Sequence, residues 1–179
     1  MRKLSMLLVP GLVSMALAAG PVLTSAYAAG SDDPSPPKSD TSTKKGKKKS
    51  SSVSDPKFLA AYRTAYTTIY DNHDYTSAIG QLKSLKRDDV ADVANLIGYS
   101  YRKLGDYQSS KVYYELALKD DPNHVRTWQY FGLWQLEQGN REQAQYHLNK
   151  IASLAGTDSS EYRSLAAALD KPTGATLVY

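Results

Sequence analysis

Between residues 55 and 170 the apolar residues recur every three to four positions, in runs broken by Gly-Asp, Gly-Asn and Asp-Pro. That spacing predicts amphipathic helices joined by short turns. Ala94, Ile97, Gly98 and Tyr101 mark one helical face, and Ser110, Tyr114 and Ala117 mark the next. The pattern then repeats. Gly98 and Gly132 stand 34 residues apart, as do Gly105 and Gly139, Ala94 and Trp128, Ile97 and Phe131, and Tyr114 and Leu148. Gly105 and Gly139 suit the positive φ that ends a helix and reverses the chain. Asp120-Asp121-Pro122 stops a helix, because the residue before proline is pushed out of the α region. Asp55-Pro56 pairs an N-cap with a first-turn proline and opens the array.

A 34-residue period built from two helices, with a glycine in the first helix and small residues and an aromatic in the second, resembles the tetratricopeptide repeat family. One repeat fits 91–124, with Ala94, Ile97, Gly98, Tyr101, Ser110, Tyr114, Ala117 and Pro122 at the family's positions. The next fits 125–158, with Trp128, Phe131, Gly132, Ala144, Leu148 and Ile151. This second unit departs at Gln135, where an aromatic is expected, and at Gly156, where proline is expected. A weaker unit lies at about 59–90. Its Asp74-Tyr75, Ala78, Leu82 and Leu85 echo the second helix at a spacing of 32, and Tyr66 falls where a small residue belongs unless the hairpin turn is longer. Asp158 to Leu169 predicts a solitary capping helix, with Asp158 or Thr157 as N-cap, an apolar stripe of Tyr162, Leu165, Ala166 and Leu169, and Trp134 packed against it. The resemblance implies an all-α, right-handed α-solenoid of about three helix hairpins plus that C-terminal cap, followed by a tail over 171–179. A solenoid needs a cap because its last repeat otherwise exposes an apolar face.

The N-terminus has a different character. Arg2 and Lys3 precede an apolar run from Leu4 to Leu23, and Ala26-Tyr27-Ala28 offers small residues for cleavage. This is the layout of a bacterial secretory signal over 1–28, leaving a mature chain from Ala29 in the periplasm or outside the cell. The apolar run is also long enough to remain as an inner-membrane anchor, although Pro10-Gly11 and Gly20-Pro21 interrupt it. Residues 29–54 lack periodicity and are rich in Ser, Pro and Lys, which predicts a disordered linker. Lys44-Lys45-Gly46-Lys47-Lys48-Lys49 is either a weak contact for an anionic surface or a solvated spacer.

The net charge of +4 is concentrated in these N-terminal segments. Residues 55–179 carry 14 basic and 15 acidic side chains, a balance unlike that of a nucleic-acid binder. The chain has no cysteine, which excludes disulfides and thiolate chemistry. His73, His124 and His147 are not at metal-ligand spacing, and no phosphate loop or nucleophile elbow occurs. No cofactor is expected, no metal site, and no enzyme activity. Of 14 tyrosines, 13 lie beyond residue 54, and Tyr101, Tyr107 and Tyr114 fall at packing positions.

The resemblance also implies a binding groove lined by the first helix of each hairpin. Its positions fall on Asp92, Asn95, Tyr99, Arg102 and Lys103, then on Arg126, Gln129, Leu133, Leu136 and Glu137. Asn95 and Gln129 can pair with a backbone amide, Tyr99 and Leu133 can cover apolar side chains, and Arg102 and Arg126 can meet a carboxylate. The family's clamp for chaperone tails needs lysine then asparagine where this chain has Asn95 and Tyr99, then Gln129 and Leu133, so that clamp is not formed. Three functions remain open: a scaffold for a protein segment supporting envelope assembly, a membrane- or polyanion-tethered protein, and an accessory subunit of an exported enzyme complex.

Overall fold

In a computed structural model the described residues are 55–172. The expected signal segment, the Lys-rich linker with Lys44–Lys49, and all but two residues of the tail lie outside them. Among the described residues there are seven helices and no strand. These are α1 (Pro56–Tyr70), α2 (Tyr75–Ser84), α3 (Ala91–Lys103), α4 (Tyr107–Asp120), α5 (Val125–Glu137), α6 (Arg141–Ala155) and α7 (Ser160–Leu169). α1–α2, α3–α4 and α5–α6 pack as hairpins, consecutive hairpins touch, and α7 lies against both α5 and α6. One continuous apolar core runs from Tyr62 and Ile69 through Ile97, Tyr114 and Phe131 to Leu165.

The turns explain why the chain reverses where it does. Asp106 closes the first turn of α4 by accepting from the Ser109 N–H at 3.0 Å, and Asp74 does the same for α2 through Ser77 at 3.0 Å. Gly105 and Gly139 hold φ of 79° and 78°. Behind them Asp106 N–H reaches the Tyr101 carbonyl and Asn140 N–H reaches that of Gln135, satisfying the ends of α3 and α5. The first hairpin contains one more residue. There Asp74 N–H reaches back six positions to Thr68, and His73 takes the left-handed conformation at φ 53°. The extra residue settles the register of the first unit. Ala65, fully buried, occupies the small-residue position, and Tyr66 moves off it to a neighbouring face.

Glycine is required where helices cross closely. A Cβ on Gly98 would stand 2.9 Å from Tyr114 Cδ1 and 3.2 Å from the Ser110 carbonyl. A Cβ on Gly132 would meet Leu165 of α7 at 2.5 Å and His147 Cβ at 3.1 Å. The cap helix therefore docks onto Gly132. The hydrogen bond of Trp134 points to the preceding hairpin instead, its indole N–H donating to the Tyr107 carbonyl at 3.1 Å. Ser159, rather than Asp158 or Thr157, caps α7, accepting from the Tyr162 N–H, because Gly156 at φ 81° ends α6 early enough to place it there. Gln135 departs from the aromatic pattern without loss. It is buried, and its carbonyl oxygen accepts from the Asn140 amide at 3.0 Å.

Candidate functional site

The first helices α1, α3 and α5 lie side by side. On α1, Phe58, Tyr62, Tyr66 and Tyr70 recur every four residues, so each ring meets the next, most closely at 4.6 Å between Tyr66 and Tyr70. The series continues across helices, from Tyr70 to Tyr99 of α3 at 5.6 Å and from Tyr99 to Tyr130 of α5 at 4.9 Å. The Tyr70 and Tyr130 hydroxyls are 3.0 Å apart, so α1 reaches past α3 to α5. Burial pushes the Tyr62 and Tyr70 phenols well above their ordinary range, with Asp92 adding to this for Tyr62 and Tyr130 for Tyr70.

This aromatic layer alters the groove expected from the sequence. Asn95, Tyr99, Arg102, Gln129 and Leu133 are all buried rather than presented on an open face. Asp92, Arg126, Leu136 and Glu137 are half-buried, and Lys103 is exposed, its ammonium 5.8 Å from the Tyr99 ring. This burial has a physical cause. The rings of Tyr62, Tyr66, Tyr70, Tyr99 and Tyr130 pack in series along this side, while Asn95, Arg102 and Leu133 are taken up by contacts between helices. Arg102 has become structural. It pairs with Glu137 through Nε–Oε2 at 2.9 Å and Nη2–Oε1 at 3.2 Å, joining α3 to α5. Leu133 is fully buried in the core.

A polar network that the sequence pattern did not predict sits at the start of α5. His124 Nδ1 lies 2.6 Å from Thr127 Oγ1, and His124 Nε2 lies 3.1 Å from Asp92 Oδ1. Thr127 in turn donates to Asn95 Oδ1 at 3.1 Å. With its only hydrogen given to Asn95, the hydroxyl accepts from the imidazole. Burial acts to raise the Asp92 carboxyl, but His124 and Arg126 together hold it below the usual carboxylate range. Carboxylate, imidazole and hydroxyl are here in sequence, yet Thr127 is 0% exposed and no substrate can reach its oxygen. The network fastens the second hairpin to the third. The only sequence signal for it was the 32-residue spacing between Asp92 and His124, which no pattern assigns.

Residues 101–169 match the tetratricopeptide repeat family. That match, with the all-α hairpin arrangement, supports a tetratricopeptide repeat reading of the array. Tetratricopeptide repeats are scaffolds that mediate protein–protein contact, and the fold is characteristically non-enzymatic. The chain matches no curated protein. Helix hairpins of the same kind continue N-terminally of the matched segment through α1, α2 and most of α3, with one more residue in the α1–α2 turn. Among the described residues no three His, Cys, Asp or Glu side chains cluster to hold a metal ion, and no helix is long and apolar enough to cross a membrane.

Two groups on the first-helix side of the tetratricopeptide array remain chemically available. Burial opposes the Arg126 charge, but the hydroxyls of Tyr130, Tyr70, Tyr66 and Tyr62 more than compensate and raise its affinity for the proton. Arg126 makes no hydrogen bond or ion pair with another described residue. Gln129, one turn further along α5, is 6% exposed and likewise makes no hydrogen bond.

Proposed function

We propose that this protein is an exported bacterial scaffold that holds a protein segment against the first-helix side of its tetratricopeptide array, in support of envelope assembly or of a periplasmic complex. The observation that carries this reading is the repeat itself, matched over residues 101–169, in a family whose arrays typically bind proteins. Export is supported by Arg2-Lys3, the apolar run that follows, and Ala26-Tyr27-Ala28. The Lys-rich linker keeps the array clear of the membrane surface.

Two measurements test the reading. Cell fractionation with N-terminal sequencing should recover a mature chain starting at Ala29 outside the cytoplasm. A full-length cytoplasmic chain would refute export. In cells, a photo-crosslinking residue at Arg63 or Lys103 should trap the same protein partner, while one at Val112, exposed on α4, should not. Trapping only at Val112 would move the binding surface to the second helices. If association is instead lost on deleting residues 29–54 and released by salt, the Lys cluster is the functional element.

A further inference from the structure

Helices α3 and α5 are joined at both ends. At their C-terminal ends Arg102 and Glu137 form the two-point ion pair already described. At their N-terminal ends Asp92, in the first turn of α3, meets His124, the residue before α5, at 3.1 Å. The two links differ in one respect. A guanidinium keeps its charge throughout the range in which proteins stay folded, whereas an imidazole changes charge between about pH 5 and pH 8.

The hydrogens at the second link follow from its partners. Thr127 gives its hydroxyl hydrogen to Asn95 Oδ1, so His124 Nδ1, 2.6 Å away, donates to that hydroxyl. On the other side Nε2 faces Asp92, a carboxyl that burial tends to raise but that His124 and Arg126 hold below its usual range, so it is ionised here. A carboxylate only accepts, so Nε2 donates as well. The closed link therefore needs a hydrogen on both ring nitrogens. Removing one of them has unequal consequences. Loss from Nδ1 turns the Thr127 hydrogen back to the ring and strands Asn95 Oδ1, where Asn95 and Thr127 are 1% and 0% exposed. Loss from Nε2 sets a lone pair against Asp92, whose side chain is 35% exposed and can turn to water. The proton that leaves is the one on Nε2, it goes to solvent, and the Asp92–His124 link opens.

The surrounding charges oppose one another. Asp92 of α3 attracts the second proton, as do Asp120 and Asp121 at the end of α4, although Asp121 already accepts from the Asn123 N–H at 2.9 Å. Asp89, in the link before α3, is paired with Arg87. Arg126 and the amino end of α5 repel the proton, and burial keeps the Tyr62 phenol of α1 neutral. One close carboxylate thus works against one close cation, which leaves the proton exchangeable. We propose that Asp92 and His124 form a proton-dependent clasp whose release lets the third hairpin swing from the second about the fixed Arg102–Glu137 pair. The device does not depend on which face of the array meets a partner.

Two measurements on the mature protein test it. Long-range proton–nitrogen spectra of the imidazole rings, recorded from about pH 5 to pH 8, should show both His124 nitrogens protonated at the acid end. The neutral ring should then be the Nδ1–H tautomer. The chain has no cysteine, so spin labels can be placed on introduced ones. Lys119→Cys with Ser153→Cys spans the two hairpins at the clasp end, and Gln108→Cys with Gln143→Cys spans them at the Arg102–Glu137 end. All four positions are exposed. The distance between labels at 119 and 153 should grow by about 1–2 Å or more as pH rises, the size of helix shifts at interfaces, while that between 108 and 143 stays constant. His124→Gln and Asp92→Asn should each hold the first distance at one value across the range, with circular dichroism establishing that they are folded. A neutral His124 in the Nε2–H tautomer would overturn the proposal. So would a first distance that does not move while the ring titrates, or two distances that move equally. A change surviving in His124→Gln would also overturn it and place the sensor at His147. If either clasp variant fails to fold, the unsubstituted protein's tautomer and the two label distances still decide the matter.

Discussion

The Tyr70 and Tyr130 hydroxyls, sixty residues apart in sequence, lie 3.0 Å from each other across the first-helix side of the array. Contacts in a solenoid run mainly between neighbouring repeats. This one joins the first hairpin to the third, and the Tyr99 ring packs against both tyrosines. Tyr70→Phe should lower unfolding free energy by about 1 kcal/mol, the net worth of one partly buried hydrogen bond. Tyr130→Phe should cost about the same. The double variant should cost no more than either single change, as a double-mutant cycle in urea would measure. Additive losses would show that the two hydroxyls act separately.

The glycines should divide by what surrounds them. Gly80 on α2 has nothing within 4 Å of where a methyl group would stand, so Gly80→Ala should stabilise by about 1 kcal/mol through helix propensity alone. Gly98→Ala and Gly132→Ala should destabilise by about 1–3 kcal/mol despite the same gain, because Tyr114 and Leu165 are fully buried and cannot withdraw. Gly132→Ala should also loosen α7, visible as faster amide exchange over 160–169 than in Gly98→Ala.

Arg102 and Glu137 should behave as a buried pair. Glu137→Ala leaves the guanidinium uncompensated beside the core and should cost about 3 kcal/mol. Adding Arg102→Met to that variant should recover most of the loss, since it removes the stranded charge. No recovery in chemical denaturation would mean that the Arg102 stem, and not its charge, is what the core requires.

Stability should fall at both ends of the pH scale for separate reasons. Burial pushes the Tyr114 phenol up to about 12, partly opposed by Arg102. An unfolded tyrosine ionises near pH 10. Between the two values the unfolded state has lost a proton that the folded state keeps, so stability is intact below pH ~10 and is lost as pH rises toward 12. Tyr114→Phe should flatten that alkaline limb. His147 works in the acid direction. Burial lowers its proton affinity, only partly offset by the Trp128 carbonyl 3.1 Å from Nδ1. The folded form stays neutral while the unfolded one gains a proton, so stability falls as pH drops below ~6.5. Asp92, held below its ordinary range, adds to the acid loss, at lower pH. Thermal melts from pH 5 to pH 8 should show the His147 contribution vanish in His147→Gln.

Helix existence and hairpin order were legible in the sequence because they rest on local rules. The spacing of Ala94, Ile97 and Tyr101, the Gly105-Asp106 turn and the Asp55-Pro56 start each act over a few residues, and each is found where its pattern placed it. The register of the first hairpin was not legible, because an inserted turn residue is invisible until the Thr68–Asp74 backbone bond shows it. The N-cap of α7 fell on Ser159, one residue beyond the choices the sequence offered, because Thr157, Asp158 and Ser159 are all capping residue types and only the backbone decides among them.

The candidate site divides differently. The sequence by itself determined which residue types stand on the first helices, because helical periodicity fixes the face a position shares. Only the tertiary structure decided which of them are spent. Asn95 and Arg102 look as available as Gln129 and Arg126 in sequence, but long-range partners, Thr127 and Glu137, consume the first two. Whether a polar side chain is satisfied depends on what the fold brings opposite it, and a tyrosine series begun on α1 and finished on α5 is assembled only when the helices pack.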